Sequence, residues 1–228
     1  METQEYEKIL KQVPLFSGLN SLDLERVSRL VIRRKFKKGQ TIISEGQALE
    51  GFYIVIAGQI KVYKFSPDGK EQILHIIHPG ESFAEVAAFT DGRSPANAMS
   101  LIDSDVFFLF KDDMIRLVKD NPQLSLNMLA SMSRYLRHMV SIIDELSLKD
   151  VPARLAKYML DLAIASHNRE LKLPITKKDL ASRLGTISET LSRTFNKLKS
   201  RKIIKINGDK ITVTNKKGLE QIAAGIKP

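Results

Sequence analysis

The sequence predicts an α+β protein in three parts, and three patterns along its 228 residues support this prediction. Short β-type runs separated by Gly and Asp turns fill residues 32–110, which favours an all-β sandwich or barrel. A long amphipathic helical stretch follows over residues 112–148. Two short helices and a β-hairpin come last. We therefore predict an N-terminal domain at residues 1–111, a helix at 112–149 and a C-terminal domain at 150–228.

Two amphipathic helices precede the β-rich region. Apolar residues at helical spacing predict the first over Glu2 to Val13, and Pro14 ends it. The second is predicted over Ser21 to Val31. We expect Ser21 to be its N-cap, because a Ser hydroxyl can accept a hydrogen bond from a first-turn N–H.

Composition and motifs exclude several classes of function. The sequence contains no Cys, which rules out disulfides, cysteine-ligated clusters and cysteine nucleophiles. The first twenty residues lack the apolar core of a signal peptide and no run reaches the length of a membrane helix, so we expect a cytoplasmic protein without a membrane partner. We find no metal-spaced His cluster, G-x-S-x-G motif or phosphate loop, so we expect no enzyme.

Residues 176–202 predict two short helices joined by a tight turn. The first covers residues 176–184, where Thr176 and Asp179 have N-cap and N3 spacing. Gly185 follows, and glycine most easily takes the left-handed conformation at a helix end. This arrangement is typical of a helix-turn-helix, whose second helix enters the major groove of DNA.

The second of these helices, predicted over residues 188–201, separates apolar and polar residues onto two faces. Leu191, Phe195 and Leu198 recur at the spacing of a core-facing stripe. The polar face carries side chains that can hydrogen bond to base edges. The predicted DNA-contacting residues on this helix are Ser188, Glu189, Thr190, Ser192, Arg193, Asn196 and Lys197. The alternative is a merely solvated face, in which Glu189 forms a capping box with Thr186.

Charge and a predicted hairpin favour DNA over the solvated face. Residues 151–228 carry 17 Lys and Arg against 6 Asp and Glu, whereas residues 1–150 carry 19 against 20. The net charge of +10 therefore resides in the last third, as phosphate binding requires. β-branched runs flanking Asn207-Gly208 predict a hairpin, or wing, after the second helix. The lysines expected to contact phosphates from this wing are Lys202, Lys205 and Lys210.

The stretch SETLSRTFNKL, preceded by ITKKDLASRLG, resembles the DNA-reading element of the CRP/FNR superfamily of bacterial transcription regulators. Residues 189–193 match the E-x-x-S-R set of its FNR branch. The resemblance implies a cyclic-nucleotide-binding-like β-roll, a dimerisation helix and a C-terminal winged helix-turn-helix. Ile187 departs from it, since this position usually carries a Ser or Thr cap, and we expect Thr186 or Ser188 to cap the helix instead.

The same resemblance implies a homodimer that binds a palindromic operator in double-stranded DNA and has RNA polymerase as a partner. The operator is expected to contain TTGA-type half-sites about one helical turn apart, roughly 34 Å. Glu189 would accept from a cytosine, Arg193 would address a guanine or a phosphate, and Ser192 a thymine.

Residues 83–98 correspond to the segment that binds the ribose and phosphate of cyclic AMP in relatives. Glu85 matches the ribose-binding Glu, but Ala84 replaces the usual Gly. The Arg-Ser pair that would clamp the phosphate stands one position early, which puts Pro95, without a backbone donor, where the Ser should be. We therefore expect an effector other than cyclic AMP. The predicted effector-binding residues are Glu85, Arg93, Ser94, His138 and Met139.

Heme is a possible cofactor, because some superfamily branches respond to nitric oxide through heme and a His usually supplies its axial ligand. The four histidines are His75, His78, His138 and His167. For each, a histidine that binds no ligand is the alternative, and His167 is poorly placed in the C-terminal third. The alternative function is a cyclic-nucleotide-binding module that acts on a protein partner, which the basic C-terminal third disfavours.

Apolar residues recur in steps of three and four along residues 122–148, which predicts a coiled-coil seam and a symmetric dimer. The predicted interface residues are Met128, Met132, Leu136, Met139, Ile143 and Leu146. The alternative is packing on the chain's own β-region, which must cover some of them. Met139 and Val140 also stand where cyclic AMP receptors carry adenine-contacting hydroxyl residues. Pro152 ends the helix, and we place a hinge at Asp150.

Overall fold

The computed structural model describes residues 2–85, 90, 92–166, 170–208 and 210–226. The chain divides into two compact units, Met1–Lys64 with Leu74–His138 and Phe65–Ile73 with Met139–Pro228. This division falls inside a long helix, whereas the domain boundaries expected from the sequence lie at helix ends.

Two short helices open the first unit. They are α1 (Glu2–Leu10) and α2 (Ser21–Leu30), with a 3₁₀ turn at Pro14–Phe16 between them. The N-cap of α2 is Asn20 and not the predicted Ser21. The Asn20 side-chain oxygen accepts from the Asp23 backbone N–H at 2.9 Å, because Ser21 is already inside the helix.

Strands follow where the β-type runs predicted them. Those of the described residues are β1 (Ile32–Phe36), β2 (Thr41–Ile43), β3 (Gly51–Ala57), β4 (Ile60–Phe65), β5 (Glu71–Ile77), β6 (Ser82–Phe83), β7 (Asn97–Ser100) and β8 (Ser104–Phe110). They form two four-stranded sheets with the orders β1-β8-β3-β6 and β2-β7-β4-β5. We refer to β1 to β8 as the β-roll. Only β6, with two residues, is too short to leave a signal in the sequence.

The central strand β3 is buried on both faces, which explains its uninterrupted apolar run. Phe52 and Ile54 pack into a cluster with the N-terminal helices. Tyr53 and Val55 pack into a second cluster inside the β-roll. Successive strand side chains point to opposite faces, so a helix layer outside and a sheet inside make every position apolar.

Three helices come after the β-roll, α3 (Lys111–Asp120), α4 (Pro122–Leu148) and α5 (Val151–Ser166). Pro122 begins α4, since a Pro fits the first turn of a helix. Helix α5 begins at Val151, one residue after the hinge placed at Asp150. The Asp150 carboxylate accepts from the Ala153 N–H at 3.0 Å, and Pro152 is accommodated in the first turn. Among the described residues, no helix has both the length and the hydropathy to cross a membrane.

The C-terminal part confirms the predicted winged helix-turn-helix. Its elements are β9 (Glu170–Lys172), α6 (Lys177–Arg183), α7 (Ser188–Ser200), β10 (Ile204–Asn207), β11 (Lys210–Val213) and α8 (Lys216–Ala223). Strand β11 lies between β10 and β9 and is antiparallel to both. Leu155, Leu180, Leu191 and Leu219 are each at most 1% exposed and form part of its core. Sheet and core together fix α7 as a surface helix.

Candidate nucleic-acid interface and effector site

Backbone geometry holds the turn between α6 and α7. The Thr176 hydroxyl accepts from the Asp179 N–H at 3.1 Å, which confirms the predicted N-cap of α6. Gly185 has a φ of +60°, the left-handed conformation that the sequence predicted for it. The Thr186 N–H then donates to the Ala181 carbonyl at 3.0 Å. These bonds fix the direction in which α7 leaves the turn.

Helix α7 presents a polar face above an apolar base. Leu191, Phe195 and Leu198 are 1–3% exposed and anchor it to the domain. The exposed residues of its polar face are Ser188, Glu189, Ser192, Arg193, Asn196 and Lys197. Thr190 is half-buried, and its carbonyl accepts the Thr194 hydroxyl at 2.8 Å. The structure thus brings together on one surface all but one of the α7 residues expected to contact DNA.

Glu189 and Arg193 form an ion pair across one turn of α7. Their side chains are 66% and 76% exposed, so the pair contributes about 0–1 kcal/mol at most to stability. Either group can therefore leave its partner for a base edge at little cost. The pair also places a hydrogen-bond acceptor, the Glu189 carboxylate, beside a forked donor, the Arg193 guanidinium. In the major groove of a C·G pair, cytosine N4 is a donor and guanine O6 and N7 are acceptors, so the two side chains match the two bases.

The N-cap of α7 differs from the expected one. Ile187 occupies it, with a φ of −102° and a ψ of 156°, and no side-chain cap hydrogen bond forms there. Neither Thr186 nor Ser188 holds the N-cap position, because Ser188 is already the first helical residue. The Ile187 side chain is 48% exposed.

The wing forms where the hairpin was predicted. Asn207 pairs with Lys210, which leaves a two-residue loop whose Gly208 has a φ of +62°. The exposed lysines expected to contact phosphates are Lys202, Lys205 and Lys210. The Lys210 ammonium lies 2.9 Å from the Glu170 carboxylate. This pair is solvent-exposed and weak, so it leaves Lys210 able to contact a phosphate.

Arg93 and Ser94, the two residues expected to bind an effector phosphate, both donate hydrogen bonds to backbone carbonyls. Ser94 is 7% exposed, and its hydroxyl donates to the Ala96 carbonyl at 2.7 Å. Arg93 is exposed, and its Nη1 donates to the Gly46 carbonyl at 2.9 Å. The guanidinium therefore anchors the turn that contains Gly46, and the Ser94 hydroxyl is bonded to the backbone two residues further along the chain.

Ala84 and Glu85 lie directly after β6 in an unusual local environment. Ala84 has a φ of +73°, in the left-handed region that a residue with a Cβ adopts at a cost of about 1–2 kcal/mol. Burial raises the pKa of Glu85 above its ordinary value, and a hydrogen bond with Ser82 offsets only part of this. The backbone is thus strained at Ala84, and the carboxyl group of Glu85 is poorly solvated.

We expect Ala84→Gly to raise the free energy of unfolding by about 1 kcal/mol. The relief of left-handed strain exceeds the roughly 0.5–1 kcal/mol that Gly costs by loosening the unfolded chain. Urea denaturation of the purified variant measures the change. Ala98→Gly is the control, since Ala98 is buried in ordinary strand β7 and its loss should destabilise the protein. Destabilisation of equal size in both variants contradicts the prediction.

His75 on β5 and His138 on α4 face each other. Their ring centroids are 4.5 Å apart at an interplanar angle of 61°, and both side chains are half-buried. The Tyr135 ring lies 5.8 Å from that of His75. Burial raises the pKa of Tyr135, and the charge of Glu85 raises it further. Two imidazoles and a phenol thus form one cluster, to which β5 contributes His75 and α4 contributes both Tyr135 and His138.

Two further candidate residues, His78 and Met139, differ in exposure. His78 is exposed, and its backbone N–H donates to the Glu81 carboxylate at 2.7 Å. Met139 is half-buried and belongs to the second unit. His167 lies outside the described residues. Within the part of the chain that the structure describes, no three His, Cys, Asp or Glu side chains are grouped to hold a metal ion.

Helix α4 carries an exposed apolar stripe. Its members are 57–66% exposed and recur in steps of three and four: Leu129, Met132, Leu136, Val140 and Ile143. Of the other residues expected at the interface, Met128 packs against the first unit's own core, while Met139 and Leu146 are half-buried. The side of α4 that contains Leu124 and Met128 faces the chain's own core, so the solvent-facing stripe is displaced to Leu129 and Val140, which the sequence pattern missed.

A buried arginine fixes the junction of α4 and α5. Arg154 is 8% exposed, and its Nη1 donates to the Lys149 carbonyl at 2.9 Å and to the Glu145 and Leu146 carbonyls at 3.4 Å. The Leu146 and Lys149 carbonyls lie at the end of α4, where helical N–H donors run out, whereas the Glu145 carbonyl also accepts from the Lys149 N–H at 3.2 Å. Lys157 forms an ion pair with Glu145, which raises the Lys157 pKa. The sequence analysis did not single out Arg154, since only the folded junction brings its side chain to the helix end.

Comparison with known proteins agrees with this architecture. Residues 33–121 match the family described as cyclic nucleotide-binding domain, and residues 153–222 match the Crp-like helix-turn-helix domain. The cyclic AMP receptor protein of Thermus thermophilus is 27% identical over 95% of this chain and 100% of its own length. The fumarate and nitrate reduction regulatory protein of Escherichia coli K12 is 29% identical over 90% of this chain and 84% of its own.

Solved structures show the same fold. The structure of FixK2 from Bradyrhizobium japonicum aligns with a TM-score of 0.72 at 24% identity, covering 84% of this chain and 96% of that chain. Family models match both the N-terminal and the C-terminal part of the chain, and the relatives align along nearly all of it. The exposed polar face of α7 agrees with the same family. The chain belongs to the CRP/FNR superfamily of DNA-binding transcription regulators, which are not enzymes.

Proposed function

We propose that the protein is a homodimeric regulator that reads a palindromic operator with TTGA-type half-sites and responds to an effector other than cyclic AMP. The observation that carries this proposal is the polar face of α7, where Glu189, Ser192 and Arg193 are exposed together. A Glu accepts from cytosine N4, an Arg forks onto guanine O6 and N7, and a Ser bonds to several base edges. The exposed lysines of α7 and the wing supply phosphate contacts that position the helix.

The exposed stripe of α4 supports the dimer. Burying each of its five side chains against a second copy is favourable by up to about 1.5–3 kcal/mol. Steps of three and four along one helix are the pattern that packs two helices side by side. A two-fold axis along this seam presents two copies of α7, which corresponds to the two-fold symmetry of a palindrome.

Three features of the first unit disfavour cyclic AMP as the effector. Ala84 stands in a left-handed position at the start of the segment, Arg93 anchors Gly46, and the Ser94 hydroxyl is buried. The Thermus thermophilus relative is named a cyclic AMP receptor protein, so addition of cyclic AMP is the natural comparison. We expect no change in operator affinity when cyclic AMP is added.

The pair of His75 and His138 makes heme the effector to test first. A neutral imidazole is the usual axial ligand of heme iron, and these two half-buried rings lie in contact, with centroids 4.5 Å apart. When bound, heme supplies an iron that takes up a diatomic gas. One of the two histidines would hold the iron, because two would leave it no position for a gas, and Tyr135 beside them would add a hydrogen-bonding phenol.

Hemin titration tests this assignment. We expect a saturable Soret band at about one heme per chain in the wild-type protein, and loss of this band in His138→Ala. His78→Ala is the matched control, because His78 is exposed and lies outside the cluster, so its band should be unchanged. A band that is absent, or indifferent to every His substitution, excludes heme at this site.

DNA titration tests the regulator itself. Fluorescence anisotropy of the full chain on three duplexes compares an intact TTGA palindrome, one with a single scrambled half-site and one with both scrambled. We expect affinity to fall in that order and to decrease with salt. Equal binding to all three duplexes contradicts the proposal.

A further inference from the structure

We propose that Ile187 is a specificity-determining residue that contacts the 5-methyl group of a thymine in the operator. The inference rests on the proposed function, because it needs α7 in the major groove. It adds an apolar contact to a reading set that otherwise consists of hydrogen-bonding side chains.

The exposure of Ile187 sets it apart from the other apolar residues of the helix-turn-helix. Leu184 on one side is 3% exposed and Leu191 on the other is 1% exposed, whereas Ile187 is 48% exposed. The domain core therefore does not require a large apolar group there. The exposed part of Ile187, at the N-terminal end of a surface helix, is accessible to a partner outside the chain.

The position of Ile187 is costly for the helix. Ser, Thr, Asp and Asn are the preferred N-caps, and an apolar residue in their place costs about 0.5–2 kcal/mol. The structure shows no side-chain cap bond at this end of α7. The residue thus breaks a local rule while 48% of its surface stays exposed, and such exceptions are expected at functional positions.

The chemistry of the groove identifies the target. Helix-turn-helix proteins read bases with the N-terminal part of the second helix, and Ile187 precedes the exposed Ser188 and Glu189 at that end. The thymine methyl is the apolar group on the major-groove edges of the bases. A TTGA half-site supplies two adjacent thymines, while Glu189 and Arg193 suit its G·C pair. An isoleucine at the same helix end complements the thymines.

Deoxyuridine provides the test, because it removes only the methyl group and keeps every Watson–Crick and groove hydrogen bond of thymine. Operator duplexes carrying deoxyuridine at each half-site thymine in turn are titrated with the full chain. We expect one position at which wild-type affinity falls about fourfold per half-site, the effect of one buried methyl group. Ile187→Ser should bind the thymine duplex more weakly than wild type and lose this sensitivity to uracil, because Ser has no methyl group to contact thymine.

Two controls separate a methyl contact from a general effect. Ile164→Ser changes an exposed isoleucine on α5, 71% exposed, and should keep the uracil sensitivity of wild type. Thermal unfolding of Ile187→Ser should show a midpoint at or above that of wild type, since Ser can cap α7. Weaker binding by this variant then reflects the lost contact and not a damaged fold.

The outcomes distinguish this inference from the function on which it rests. Sequence-specific binding by wild type with indifference to uracil at every position would overturn the role of Ile187 alone, and would indicate contact with the sugar–phosphate backbone. Uracil sensitivity that persists unchanged in Ile187→Ser would overturn it as well. Absence of specific binding to the unmodified palindrome would overturn the proposed function and this inference together.

Discussion

Replacing Leu136 by Glu is expected to convert the dimer to monomers and to weaken operator binding by at least about 100-fold. Leu136 is 64% exposed and lies in the middle of the α4 stripe, so the substitution should leave the fold of each chain intact. In a two-fold interface the new carboxylate meets its own copy. Two like charges must then lose water with no partner, which costs several kcal/mol.

Sedimentation equilibrium and operator titration of the same samples measure this effect. Ile164→Glu is the matched control, because it places the same charge on an exposed isoleucine of α5, and it should remain dimeric. Circular dichroism should show unchanged helix content in both variants. A Leu136→Glu protein that stays dimeric and keeps wild-type affinity would place the interface elsewhere.

Replacing Arg193 by Ala is expected to cost about 1–3 kcal/mol of operator binding, roughly 5- to 150-fold in affinity. The arginine presents a fork that fits guanine O6 and N7, and alanine leaves those acceptors without a partner. Loss of its exposed ion pair with Glu189 should change stability by less than about 1 kcal/mol. Discrimination should relax at one base pair per half-site and be retained at the others.

Lys197→Ala is the comparison that separates base reading from phosphate contact. Lys197 is exposed one turn further along α7, and a phosphate contact there should weaken binding equally on operator and random DNA, with a salt slope reduced by about one. Arg193→Ala should spare random DNA. Equal losses on both duplexes for Arg193→Ala would show that it contacts only phosphate.

The winged helix-turn-helix was predictable because its signals are local. Thr176 and Asp179 lie three residues apart, Gly185 sits at a helix end, and β-branched runs surround Gly208. Each of these patterns depends on backbone geometry within a few residues, so sequence alone is sufficient. The β-roll was predictable for the same reason, since turn residues separate short β-type runs.

The exposed stripe of α4 could be predicted only in part. The apolar spacing is the same whether a residue contacts the β-roll or a second chain, and Met128 and Leu129 are neighbours in the sequence. Which of the two faces solvent depends on how α4 rotates against its own core, a tertiary effect. Met132, Leu136 and Ile143 lie on the exposed stripe, whereas Met128 does not.

The effector region was the least predictable. The contact between Arg93 and Gly46 joins residues 47 positions apart, and the facing rings of His75 and His138 are farther apart still in the chain. No local pattern encodes such pairs. The N-cap of α2 could not be predicted from the sequence either. Asn20 and Ser21 are both favourable N-cap residues, and only the folded helix shows which one is used.

Selection from a random DNA library with the full-length protein tests the central claim most directly. Run with and without hemin, it makes no assumption about the operator. We predict enrichment of a palindrome with TTGA-type half-sites whose centres lie about one helical turn, 10–10.5 base pairs, apart. Enrichment of a non-palindromic sequence, or of none under either condition, would contradict the account of a symmetric dimer that reads DNA through α7.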